Sequence, residues 1–140
     1  MRIEIDNHTD CLINETLLND IPEKLTHKEV ELIIVDNAEI QELNKQYRYI
    51  DKPTDVLSFP IEDTPFMPLG TVVISAQYAQ EKANEFNHSL ENEIALLFIH
   101  GVLHCMGYDH EIDYGEQRDK EVEIIEYFNL PQSLIVRTQE

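Results

Sequence analysis

The chain is poor in positive charge. Its 140 residues carry ten Lys and Arg against 28 Asp and Glu, a formal net charge of −18. Phosphate binding draws on positive charge, so this balance argues against a surface-wide nucleic-acid interface, and no DNA partner is expected. Cysteine is scarce. Cys11 and Cys105 are too few for a disulfide framework, which points to a reducing cytoplasm. Long apolar runs are missing. The longest, Ile94 to Ile99, falls far short of the ~20 residues that cross a bilayer, so no membrane partner is expected. The start, Met1-Arg2-Ile3-Glu4-Ile5-Asp6, alternates like a strand and lacks an apolar signal segment. Repeats, low-complexity segments and linkers are absent. Hydrophobic content of 42% and charged content of 27% fit one soluble domain over residues 1–140, large enough to bury a core.

The few basic residues are unevenly placed. Lys45, Arg48 and Lys52 fall within eight residues, with Tyr47 and Tyr49 between them. An RNA would bind locally, there, while the acidic remainder repels it. The plain alternative, which composition alone favours, is a solvated helix end whose cations suit the dipole. Tyr49 is the better candidate for base stacking. Tyr47 shares a helical face with Leu43 and reads as core.

Periodicity and caps predict four strands and five helices. Strands are expected at Arg2–Asp6, Glu29–Val35, the segment entered from Thr54 to Pro60, and Gly70–Ser75. A short helix from about Asn14 to Ile21 is expected to close at Pro22. A second starts at Asp36, with Glu39 as capping-box partner, and ends before Asp51-Lys52-Pro53. Ser75 caps Ala76–Asn84, Ser89 caps a long helix from Leu90 to Met106, and a last helix covers about Gly115–Phe128, with a short tail after Pro131. The order implies an α+β layer fold, a mixed sheet covered by helices.

The sharpest signal is His100-Gly-Val-Leu-His104-Cys-Met-Gly107-Tyr-Asp-His110. His100 and His104 share one helical face. Gly107 can end the helix in a left-handed turn that returns His110 to the same point. Three converging imidazoles with one open position describe a catalytic zinc site. The zinc-protease signature uses the same spacing, but its catalytic glutamate is replaced by Gly101. A closed structural zinc would need a fourth ligand. Cys105 follows His104 directly, points about 100° away around the helix, and reads as an ordinary buried thiol.

These motifs resemble the YbeY family of bacterial metal-dependent endoribonucleases. The resemblance rests on His100 to His110, on Leu43-Asn44-x-x-Tyr47-Arg48-x-x-Asp51-x-Pro53-Thr54-Asp55-Val56-Leu57-Ser58-Phe59-Pro60, on His88-Ser89 and on the strand Gly70–Ser75. It implies a mixed four-stranded sheet with surrounding helices. It also implies cleavage of single-stranded RNA in 16S rRNA 3′-end maturation and late ribosome quality control, with ribosomal RNA, the ribosome or ribosomal proteins as partners. One Zn2+ would be held by His100, His104 and His110, and Arg48 would serve activity. Many members have Gly-Asp where this chain has Gly70-Thr71, so no role of that aspartate carries over.

Other roles stay open. Asp109 could act as a base or orient a histidine; Asp55 could orient Arg48 or cap a turn; His88 could shuttle protons or simply precede a cap, and the cap is favoured. Lys45 and Lys52 are candidate RNA contacts. His8 and His27 read as solvated, and the run Glu116 to Glu126 as a solvated helix face. Two rival functions remain: a non-catalytic ribosome-assembly factor with a structural metal, and a metal-dependent peptidase. Imidazole ligands would also accept nickel or copper.

Overall fold

The structure is a computed structural model, which describes residues 3–61, 67–109 and 111–138. Four strands form one mixed sheet: β1 (Ile3–Asn7), β2 (Val30–Val35), β3 (Val56–Pro60) and β4 (Gly70–Ser75). Their order is β1-β2-β4-β3, with β1, β2 and β4 parallel and β3 antiparallel at one edge. Among the described residues six helices accompany it: α1 (Glu15–Leu25), α2 (Asn37–Arg48), α3 (Ala76–Phe86), α4 (Leu90–Cys105), α5 (Glu116–Tyr127) and α6 (Gln132–Thr138). The α+β expectation holds. The first strand is described from Ile3, and Arg2 lies outside the described residues.

The strands' period-2 alternation assigns the two faces of the sheet. Leu32, Ile34, Val72 and Ile74 join the main core with α1 and α4, whereas Ile33, Leu57 and Val73 pack with Ile40 and Leu43 of α2 on the other face. Of α4, nearly every residue from Glu93 to Cys105 is buried; His100 and His104 are half-buried. A helix apolar almost all round belongs at the centre of a core.

Each cap predicted from sequence forms. Asp36, Ser75 and Ser89 accept from the backbone N–H groups of Glu39, Tyr78 and Asn92. The reciprocal half of the Asp36 capping box is diverted. The Glu39 carboxylate instead holds His8 Nδ1 at 2.9 Å, while Asp6 holds Nε2 at 2.9 Å. His8 is therefore exposed but bound, a clamp between the end of β1 and the start of α2.

Two helix boundaries differ from expectation. Pro22 does not close α1 but lies inside it. A proline there lacks the N–H that would reach back one turn. Ile21 and Pro22 are both buried, and tertiary packing of that face carries the helix on to Leu25. Pro131 does not mark a tail either; it precedes α6, since proline is pre-organised for the first turn of a helix.

The two carboxylates hold His8 protonated above its ordinary pKa of 6.5. A raised folded-state pKa stabilises the protein below the unfolded pKa, and that contribution is lost as pH rises through the folded value. His8→Gln should therefore lower the melting temperature near pH 6 and make no difference at alkaline pH. An equal deficit at both would contradict the clamp.

Candidate functional site

His100 and His104 stand one turn apart on α4, with ring centroids 5.0 Å apart and planes tilted by 55°. After Cys105 the helix closes as the sequence predicts. Gly107 takes φ +106°, its N–H reaches the His104 carbonyl at 3.0 Å, and Tyr108 N–H reaches the Leu103 carbonyl at 3.0 Å. This Schellman closure turns the chain back toward α4. His110 lies outside the described residues, as do 62–66 within the connection from β3 to β4. Two imidazoles at one-turn spacing are the donor chemistry that zinc takes.

Glu121 on α5 was missed by the sequence reading. Its Oε1 lies 2.6 Å from His100 Nδ1, and Gln117 donates to the His100 carbonyl at 3.4 Å. Both side chains are buried, at 3% and 0% exposure. Glu116, Glu123 and Glu126 are exposed, so the run is solvated except along this stripe. The signal was available: Gln117, Glu121, Ile124 and Ile125 recur at helical spacing, with the buried polar pair continuing the apolar face.

Gly101 has a packing reason. A Cβ there would lie 2.6 and 3.0 Å from the two methyls of Val72 and 3.3 Å from Ser58 Oγ. The carboxylate that a zinc protease carries at this position has no room. Cys105 is buried as expected, and burial pushes its thiol up to about 11. That favours a neutral SH over a metal-ligating thiolate.

Arg48 ends α2 and donates from Nη2 to the Ser58 carbonyl at 2.7 Å, with its guanidinium carbon 5.2 Å from the Phe59 ring centre. Ser58 thus touches Arg48 through its carbonyl and faces Gly101, beside His100, through its hydroxyl. The arginine segment and the histidine helix thus border the same residue of the edge strand β3, Ser58.

The remaining candidates fall into place unevenly. Tyr47 is half exposed, with its ring edge-on to Phe59 at 5.2 Å, and is not core. The reason is its place in the last turn of α2, past the buried Ile40 and Asn44. Tyr49 is 91% exposed and left-handed at φ 61°. Lys45 and Lys52 are exposed, and Asn44 donates to the Lys52 carbonyl at 2.9 Å, which holds the loop after α2. Asp55 accepts from its neighbour Val56 N–H at 2.8 Å, a turn cap at the head of β3. Asp109 accepts from Glu111 N–H at 3.0 Å and serves a turn as well. His88 does precede the Ser89 cap, but its ring is buried, 2.6 Å from Glu93 Oε1 and 3.2 Å from Ser133 Oγ of α6. His27 is exposed, as expected. Thr71 donates to Glu31 Oε1 at 2.9 Å across the β2–β4 pair. An aspartate at 71 would set a second carboxylate against Glu31.

The model of the endoribonuclease YbeY family matches residues 2–129. The chain belongs to the endoribonuclease YbeY family. It is 58% identical to the endoribonuclease YbeY of Aliarcobacter butzleri, covering 96% of this chain and 98% of that one. The match to the endoribonuclease YbeY of Nautilia profundicola is 56%, covering 99% of both. The fold is similar to the solution structure of a Thermotoga maritima protein, with a TM-score of 0.59, 33% identity and 94% of each chain covered. Among the described residues no helix is long and apolar enough to cross a membrane.

The tight seat of Gly101 yields a direct test. Gly101→Ala gains up to about 1 kcal/mol in helix propensity, but overpacking against Val72 costs roughly 1–3 kcal/mol. Denaturant unfolding should show a net loss. A stabilised Gly101→Ala would mean that α4 does not sit this close to β4.

Proposed function

We propose that this family member is a zinc-dependent endoribonuclease that cuts single-stranded RNA, with Arg48 and the histidines His100, His104 and His110 as its working residues. Family membership supports the endoribonuclease activity. The meeting of the arginine segment and the histidine helix at Ser58 is the single observation that carries the finer reading, because the chemistry needs cation and imidazoles beside the same phosphate.

Each residue has a definite task. His100 and His104, with His110, would hold the metal. When bound, zinc supplies a Lewis acid and lowers the pKa of a coordinated water to about 7. Arg48 offers a planar fork of N–H donors to phosphate oxygens and stabilises charge that grows on them. Its position is fixed by the Ser58 carbonyl and by Phe59. Lys45 and Lys52 supply local positive charge to an otherwise acidic surface. Tyr49 presents a ring to an unstacked base, a contact that duplex RNA does not offer.

Tyr49 closes α2 in a left-handed cap, its N–H reaching the Asn44 and Lys45 carbonyls, and its ring, 91% exposed, is free to meet a base. Tyr49→Gly should leave folding stability within about 1 kcal/mol of wild type and weaken single-stranded RNA binding by roughly 5- to 100-fold, the range of one lost base–aromatic stack. Fluorescence-anisotropy titration checks it; unchanged affinity would remove Tyr49 from the RNA surface.

The resemblance extends the proposal to 16S rRNA 3′-end maturation and late ribosome quality control in the cytoplasm, with the ribosome or its proteins as partners. Peptide hydrolysis is disfavoured by the packing at Gly101. The deciding experiment pairs wild type with His104→Ala. One zinc per chain and cleavage of single-stranded over duplex RNA, both lost in the variant, support the reading. Bound zinc without cleavage by the metal-replete protein would favour a non-catalytic assembly factor.

A further inference from the structure

The buried pair on α5 points beyond ligand identity. Glu121 and Gln117 are one turn apart, and burying a carboxylate is costly unless it is paired. Here the partner is His100 Nδ1 at 2.6 Å, and Gln117 Nε2 flanks the pair, 3.3 Å from His100 Nδ1 and 3.4 Å from both the His100 carbonyl and Glu121 Oε1. Asp113 anchors this turn by accepting from Gly115 N–H at 2.8 Å and Gln117 N–H at 3.0 Å.

We propose that Glu121 is the positioning residue that fixes His100 for its metal, and that through this bond metal occupancy is coupled to the docking of α5 on α4. The proposal rests on the metal reading given above. A carboxylate at Nδ1 selects the imidazole form with its proton on Nδ1, so that Nε2 is the donor nitrogen and the ring cannot rotate away. A cation on Nε2 withdraws electron density and strengthens the Nδ1–H···carboxylate bond. By linkage, a bond that the metal strengthens also strengthens metal binding. That bond lies at the α4–α5 contact, so metal binding tightens the seat of α5. Gln117 contributes by donating to both Glu121 and the His100 backbone.

The test uses zinc itself and two variants. Glu121→Leu fills the volume without an acceptor; Glu121→Gln keeps the shape and a neutral acceptor. Zinc affinity is measured by chelator competition, and amide exchange of α5 is followed with and without zinc. Glu121→Leu should bind zinc about 10- to 100-fold more weakly, and zinc should no longer slow exchange in α5. Glu121→Gln should fall between it and wild type, and it alone carries the affinity comparison if the leucine variant fails to fold. Wild-type affinity in the folded variants overturns the positioning role. Exchange in wild-type α5 that is indifferent to zinc overturns the coupling. A wild type that binds no zinc overturns the metal reading itself, a separately visible result.

Discussion

Helix α4 crosses strand β4 where Gly101 lies against Val72, closer than any side chain would allow. Much of the architecture follows from that approach. It seats an almost wholly apolar helix on the sheet and sets His100 and His104 at the margin of the core. It also leaves Ser58 between this helix and Arg48. Interiors are packed densely enough that a single methyl group here would have to be accommodated by the β-branched Val72, which has little freedom to move. The same contact explains why a histidine spacing shared with zinc proteases appears without the protease's carboxylate.

Both ends of α4 are tied by a histidine and a buried glutamate. Near its N-terminus His88 meets Glu93 and reaches Ser133 of α6; near its C-terminus His100 meets Glu121 of α5. Buried polar pairs of this kind are poor sources of net stability, because desolvation offsets most of their attraction. They do specify which helix packs where. In a chain with a net charge of −18, placing these two carboxyl groups against histidines also keeps them off the surface.

The sequence made legible whatever depended on local chemistry. Asp36, Ser75 and Ser89 announce their helices because a short polar side chain before an apolar run has few other uses. Gly107 announces its turn because few other residues accept a positive φ at so little cost. Where the outcome depended on tertiary packing, local signals misled. Pro22 reads as a stop, yet burial of Ile21 and Pro22 carries the helix past it. The capping box at Asp36 loses its glutamate to His8, 31 positions earlier in the chain. Tyr47 shares a face with Leu43 but lies beyond the edge of the core, so helical phase alone could not bury it. Glu121 was hidden by its neighbours, since an acidic run looks solvated unless its one inward stripe is separated out.

The proposed function needs the histidine turn and Arg48 to belong to one site around Ser58. Its most direct test is an anomalous diffraction map at the zinc edge from crystals of the zinc-loaded protein. A single peak bonded to three imidazoles, those of His100, His104 and His110, at about 2.0–2.1 Å is expected. A peak that includes Cys105, or one formed away from these histidines, would contradict it.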